Sequence, residues 1–185
     1  SIYKVTGECG DYIFYPSRVN HSKRQWMVVE AMRYTKSAVK LVVAGKGDSP
    51  DDEKFLMELI EKYSLQDKVT YLNRFISEEE KVTLFEKALA GIYVPFDEDS
   101  YGYVTLEGFQ AGKAMISCKD AGGTDVVVKD GETGYMTDST PEAIAEAMDK
   151  MYLNKPKTIE MGLNGLPLLE KLGITWDNVI RRLTE

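Results

Sequence analysis

Within eight residues, Ser17-Arg18-Val19-Asn20-His21-Ser22-Lys23-Arg24 supplies three cations to an otherwise acidic chain. An arginine fork and a lysine ammonium both suit phosphate oxygens, and a helix starting here would add unpaired N–H donors. The same residues also fit an ordinary solvated basic helix start. Both readings remain open on these residues alone.

A second constellation is Asp99-Ser100-Tyr101-Gly102-Tyr103-Val104-Thr105-Leu106-Glu107, which sets two carboxylates eight residues apart, one in a loop and one inside the helix that follows. An ionised carboxylate only accepts hydrogen bonds and can span two vicinal hydroxyls of a sugar ring, while Gly102 lets backbone approach a ligand closely. The competing reading is that Glu107 simply complements the positive end of its helix.

Other motifs point away from their usual chemistries. Gly45-Lys46-Gly47 begins like a dinucleotide fingerprint, but Pro50 stands where the third glycine would be needed. Asp97-Glu98-Asp99 has Asp-x-Asp spacing, which could hold a metal but also fits a solvated acidic loop. His21 is the single histidine, so no histidine-based triad can be assembled. Cys9 and Cys118 lack CxxC spacing and are read as reduced thiols.

The elements that must position these groups alternate in type. Apolar runs of strand length are expected at Tyr12–Tyr15, Val39–Ala44, Val69–Leu72, Gly91–Pro95, Ala114–Ser117 and Gly134–Met136. Helical periodicity fills the intervals at 22–35, 51–64, 78–89 and 103–111, with a helical turn at 125–128. Ser77 reads as an N-cap with Glu80 completing a capping box. Thr140-Pro141 opens the helical remainder, and Pro156 breaks it ahead of two last helices. Apolar strands joined by amphipathic helices predict a doubly wound α/β domain with a six-stranded parallel sheet covered on both faces. Ligands of such sheets bind beyond the carboxyl ends of the strands, and both constellations above follow strands.

The 185 residues suffice for one substantial core, and a net charge of −7 disfavours nucleic acid as a partner. No apolar run reaches a membrane span, and no signal segment is evident, so a cytoplasmic location is expected, with at most peripheral membrane attachment of a longer protein. The chain starts at Ser1-Ile2-Tyr3 without Met, and residues 1–10 read as a linker or remnant of an interdomain connection ahead of a domain over 11–185.

From about Tyr12 onward the sequence resembles the carboxyl-terminal, nucleotide-sugar-binding domain of the group-1 retaining glycosyltransferases with the two-domain GT-B fold. Ser17-Arg18-Val19 with Lys23 keeps the spacing of the family's Gly-Arg-Leu and following Lys, and Asp99 with Glu107 matches its Glu-x7-Glu. Gly112-Lys113-Ala114, Gly122-Gly123 and Asp130-Gly131-Glu132-Thr133-Gly134 extend the match. Ser17 replaces the usual glycine, Val126 an acidic residue, and Asp99 is one methylene shorter than the usual glutamate.

The resemblance implies that Arg18 and Lys23 hold the diphosphate, that Asp99 contacts the donor sugar, and that Glu107 contacts the ribose hydroxyls. These four carry the catalytic role. Tyr101, Gly102, Tyr103, Val104 and Thr105 would line the donor between the two acids, while Arg74 and Phe75 would edge the base. Lys23-Arg24 and Asp99-Ser100-Tyr101-Gly102 resemble mannosyltransferases of the group, which implies GDP-mannose as donor, with a UDP-sugar as the alternative. The implied reaction moves a hexose to a sugar or lipid-linked acceptor with retention, needs no metal or other cofactor, and requires an N-terminal domain that this chain lacks. A nucleotide-binding or regulatory module without transfer is the alternative, as is a phosphorylase-like or epimerase-like enzyme of the same fold.

Overall fold

The structure is a computed structural model and describes residues 2–175. Strands β1 (Tyr12–Pro16), β2 (Lys40–Ala44), β3 (Val69–Leu72), β4 (Ala90–Ile92), β5 (Met115–Cys118) and β6 (Gly134–Thr137) form one parallel sheet in the order β3-β2-β1-β4-β5-β6. Helices α1 (Gln25–Ala31), α2 (Pro50–Lys62), α3 (Glu78–Glu86), α4 (Tyr103–Gln110), α5 (Pro141–Leu153) and α6 (Lys155–Lys171) cover it. Ile13, Phe14 and Tyr15 of β1 and Met115 and Ile116 of β5 are fully buried, as expected for strands covered on both faces. The strand order reverses between β1 and β4, which opens a crevice at their carboxyl ends.

All six expected strands form, while several helix ends differ for tertiary reasons. The first helix was expected over 22–35 but spans Gln25–Ala31. Arg24 before it takes a left-handed conformation, φ 56°, because its guanidinium is drawn under the ends of β4 and β5. The third helix stops at Glu86, three residues short of expectation. Ser77 caps it by accepting from Glu80 N–H at 3.1 Å, but the Glu80 carboxylate turns to Arg74 and leaves the capping box half made. The 3-10 turn falls at Gly123–Val126, two residues early.

Pro156 does open a new helix, the first of the two expected last ones, which runs from Lys155 to Lys171 through the exposed Pro167. Two of its glycines set its packing: a Cβ at Gly162 would lie 2.1 Å from the Gly112 carbonyl oxygen, and one at Gly165 2.3 Å from the Phe109 ring. The part of α6 ahead of Pro167 can therefore press directly onto the end of α4. The second of the two expected last helices falls beyond α6, where residues 176–185 lie outside the described residues, as does Ser1.

Residues 2–10 carry no strand or helix yet lie against the domain. The Tyr3 ring meets Phe85 edge-on at 6.1 Å, and the buried Lys113 ammonium donates to the Glu8 carbonyl at 2.6 Å.

Candidate functional site

A cleft of about 630 Å³ occupies the crevice beyond β1 and β4. The loop leaving β1 forms one wall with Ser17, Arg18 and Lys23, and α3 and α4 form the other with Lys81, Tyr103, Val104 and Glu107. Tyr93, just past β4, lies between them, and Ile2 and Tyr3 close one end. Arg18, Lys23, Tyr103, Val104 and Glu107 are thus brought together from two sequence segments that the chain keeps far apart.

The β1 loop owes its path to Gly45. With φ 152° and a would-be Cβ only 2.0 Å from the Ser17 carbonyl oxygen, Gly45 lets the loops after β1 and β2 touch backbone to backbone. Val19 N–H then donates to Lys46 O, and Asp48 N–H to Val19 O. The glycines of Gly45-Lys46-Gly47 accordingly serve a close approach within the fold. Buried Gln25 fixes the Arg18 carbonyl at 2.9 Å, so the Arg18 backbone is set while its side chain stays 71% exposed, paired with Asp48 at 3.2 Å. An exposed pair of this kind holds the guanidinium weakly and lets it turn to a stronger anion.

Lys23 is more enclosed. Its backbone is held by the Tyr15 hydroxyl, which donates to Lys23 O, and by the Asn20 carboxamide, which accepts from Lys23 N–H at 2.8 Å. Its ammonium donates to the Tyr93 hydroxyl at 2.9 Å and to Glu98 Oε1. Burial, with the Glu98 carboxylate beside it, pushes the Tyr93 phenol far above its usual pKa, so it stays protonated and donates to Glu98 Oε2 at 2.5 Å.

On the opposite wall, Glu107 is buried in α4. Its Oε2 accepts from the Tyr3 hydroxyl and pairs with the Lys81 ammonium at 3.0 Å, which also binds Glu78 at 2.9 Å. Burial works against the Lys81 charge, but hydrogen bonds and charge from Glu78 and Glu107 outweigh it and raise the Lys81 pKa. Burial and the Glu107 hydrogen bond push the Tyr3 phenol up in the same way. Gly102 caps α4 at φ 74°, where a Cβ would stand 2.3 Å from the Tyr93 ring.

Other sequence-derived candidates lie elsewhere. Asp99 is exposed and does not line the cleft; the neighbouring Glu98 turns in towards Lys23 instead. Tyr101 is half-buried against the core, and Thr105 is fully buried inside the domain. Arg74 pairs with Glu80 and Phe75 is 77% exposed, both beyond β3, two strands from the cleft. Residues that the sequence did not single out are Tyr3, Lys81, Tyr93 and Glu98. Lys81 sits one turn after Glu78 in an acidic helix start and reads there as a solvated charge, so only its tertiary position reveals it. Among the described residues, no three His, Cys, Asp or Glu side chains gather to hold a metal, and no helix is long and apolar enough to cross a membrane.

The family model of the glycosyl transferases group 1 matches residues 6–165. The chain belongs to the glycosyl transferases group 1. Within this group it is 35% identical over 135 residues to the alpha-1,3/1,6-mannosyltransferase ALG2 of Dictyostelium discoideum, a match covering 70% of this chain and 31% of that protein. This chain therefore spans about a third of such a curated group 1 relative. The Anabaena HepE structure in complex with UDP-glucose superposes with a TM-score of 0.81 at 20% identity, over 95% of this chain and 49% of that one. The C-terminal domain of the group 1 protein LpcC from Francisella tularensis aligns with a TM-score of 0.76 at 18% identity, over 92% of this chain and 93% of that domain. The fold is the doubly wound α/β domain with a six-stranded parallel sheet that the strand and helix pattern predicts, and it matches the Rossmann-like half of the GT-B fold that the family resemblance implies.

Proposed function

We propose that this group 1 chain is the donor-binding half of a retaining glycosyltransferase that moves a hexose from a nucleoside diphosphate sugar to a sugar or lipid-linked acceptor. The observation that carries this reading is the cleft at the strand-order reversal, with Arg18 and Lys23 on one wall and a buried carboxylate, Glu107, on the other. The two cations would meet the diphosphate and stabilise charge that grows on it as the sugar leaves. Glu107, held by Lys81, would accept from ribose hydroxyls. Asp99 would reach the sugar once residues 99–101 turn inward over the bound donor, while Glu98 keeps its backbone pairing to the loop after β5.

The likeness to ALG2 supports mannose as the sugar and hence GDP-mannose as donor, and the UDP-glucose held by HepE supports the wider class of nucleotide sugars. Retention comes with the family resemblance. An N-terminal domain facing the cleft would supply the acceptor side, and the chain alone would bind donor without transferring it.

Calorimetric titration with GDP, UDP, GDP-mannose and UDP-glucose tests the reading. Binding of a diphosphate, with a rise in unfolding temperature by mass action, is expected. Absence of binding by all four would overturn it, and acceptor-dependent transfer by this chain alone would overturn the division of labour. One observation favours a second reading, nucleotide binding without transfer: Asp99 faces solvent and the shorter acid leaves the sugar contact to a loop movement. Turnover by the full-length protein separates the two.

A further inference from the structure

The Lys23 ammonium, Tyr93 hydroxyl and Glu98 carboxylate close a ring of hydrogen bonds at the edge of the cleft. Lys23 donates to both partners, and Tyr93 donates to the second Glu98 oxygen. The Lys23 and Glu98 side chains are 19% and 26% exposed, so their attraction is less screened than that of a surface pair.

The two partners differ in freedom. Glu98 is fixed through its backbone: its N–H donates to Ala121 O at 2.9 Å, and its carbonyl accepts from Gly123 N–H at 2.8 Å. A Cβ at Gly122 would lie 2.1 Å from that carbonyl oxygen, so the double glycine is what lets the loop after β5 seize Glu98. Lys23 has a four-carbon flexible stem and can swing from a fixed backbone. Any anion entering the cleft must therefore draw Lys23 from a carboxylate whose backbone is anchored and whose second oxygen is held by the Tyr93 hydroxyl.

We propose that Glu98 is an internal counter-anion for Lys23: it holds the ammonium while the cleft is empty, yields it to an incoming diphosphate, and recaptures it to hasten diphosphate release. Glu98 thereby sets the affinity and residence time of the diphosphate from inside the fold. This inference rests on the assignment of Lys23 to the diphosphate in the proposed function.

The test uses the 185-residue chain with Glu98→Gln and Glu98→Ala, titrated with GDP and UDP and, as phosphate-free probes, guanosine and uridine. Both variants should bind the diphosphate about five- to tenfold more tightly, mainly through slower dissociation, with nucleoside binding unchanged. In a Lys23→Ala background the Glu98 substitutions should have no effect on diphosphate affinity. Weaker or unchanged diphosphate binding in both Glu98 variants, with thermal unfolding showing them folded, overturns the proposal, because the carboxylate would then orient Lys23 rather than compete for it. If Lys23→Ala leaves diphosphate affinity intact, the assignment of Lys23 itself fails, a result distinct from any behaviour of Glu98.

Discussion

Arg18 and Arg24 lie six residues apart in the same loop, and the structure places them in opposite surroundings. Arg24 is 8% exposed: Nε donates to Val94 O and Nη2 to Pro95 O, each at 2.8 Å, and the fork grips Asp120 at 2.7 and 3.0 Å. Those bonds hold it in a left-handed conformation that a side chain rarely adopts unaided. Arg18 faces the cleft with a single exposed carboxylate partner. The contrast teaches that a basic cluster divides into anchor and ligand according to burial. A guanidinium whose donors are spent on the fold has little left for a substrate.

The largest expected effect breaks the anchor. Arg24→Ala leaves two buried carbonyls without donors, and at about 1–3 kcal/mol for each it should cost roughly 3 kcal/mol of stability in urea unfolding. Diphosphate binding per folded molecule should persist. A variant that stays fully stable but loses binding would exchange the two roles. Arg18→Ala is the converse: nucleoside diphosphate binding should weaken about 10- to 100-fold, the worth of a hydrogen bond to a charged group, with unfolding and nucleoside binding scarcely changed. Calorimetry on both ligands gives the comparison, and survival of diphosphate affinity within about twofold would return Arg18 to the status of an ordinary solvated charge.

Acid sharpens the contrast, since it acts on the anchor through its partner. Hydrogen bonds from Arg24 hold the Asp120 carboxyl down to about 2, against the opposing effect of burial and with help from Ser139. Its folded pKa thus lies below the unfolded value near 3.9, so its stabilisation is complete above about pH 4 and fades as pH falls towards 2. Asp120→Asn should flatten the stability profile over that interval. An unchanged acid limb would mean that the Arg24 pair adds little to folding. The smallest effect is expected at Asp99→Asn, which should weaken nucleotide sugar binding a few-fold and leave nucleoside diphosphate binding as it was. Equal losses for both ligands would remove Asp99 from the sugar.

Much of the fold was legible because parallel strands buried on both faces read as plain apolar runs, and β1 and β5 are of that kind. Helix ends were less legible, since Arg24, Glu80 and Gly162 are settled by contacts with Asp120, Arg74 and Gly112 that lie outside their own helices. In the cleft, Arg18, Lys23 and Glu107 could be picked out by the resemblance of their spacing to the family's motifs, while the residues alone left a solvated helix start equally open. Lys81 and Tyr3 could not, because their relation to Glu107 exists only after α3, α4 and the N-terminal segment pack. Between Glu98 and Asp99 the sequence offers two adjacent carboxylates. What turns the first inward is a backbone pairing with Gly122, beside the left-handed Asp97, and neither leaves a local mark.

The cleft lies where β1 meets β4, and that seam joins Ile13 to Ala90 and Phe14 to Gly91 across the first half of the domain. Such a pairing closes a longer loop of chain than the neighbouring β1–β2 contact, and the larger closure entropy predicts that it forms more slowly. As the chain leaves the ribosome, Arg18 and Lys23 emerge first and have no opposite wall until β4 and α4 arrive. The proposed binding site is thus also a report of long-range folding: a nucleotide that favours the cleft will stabilise the β1–β4 seam, and nascent chains stalled before residue 90 should be blind to it.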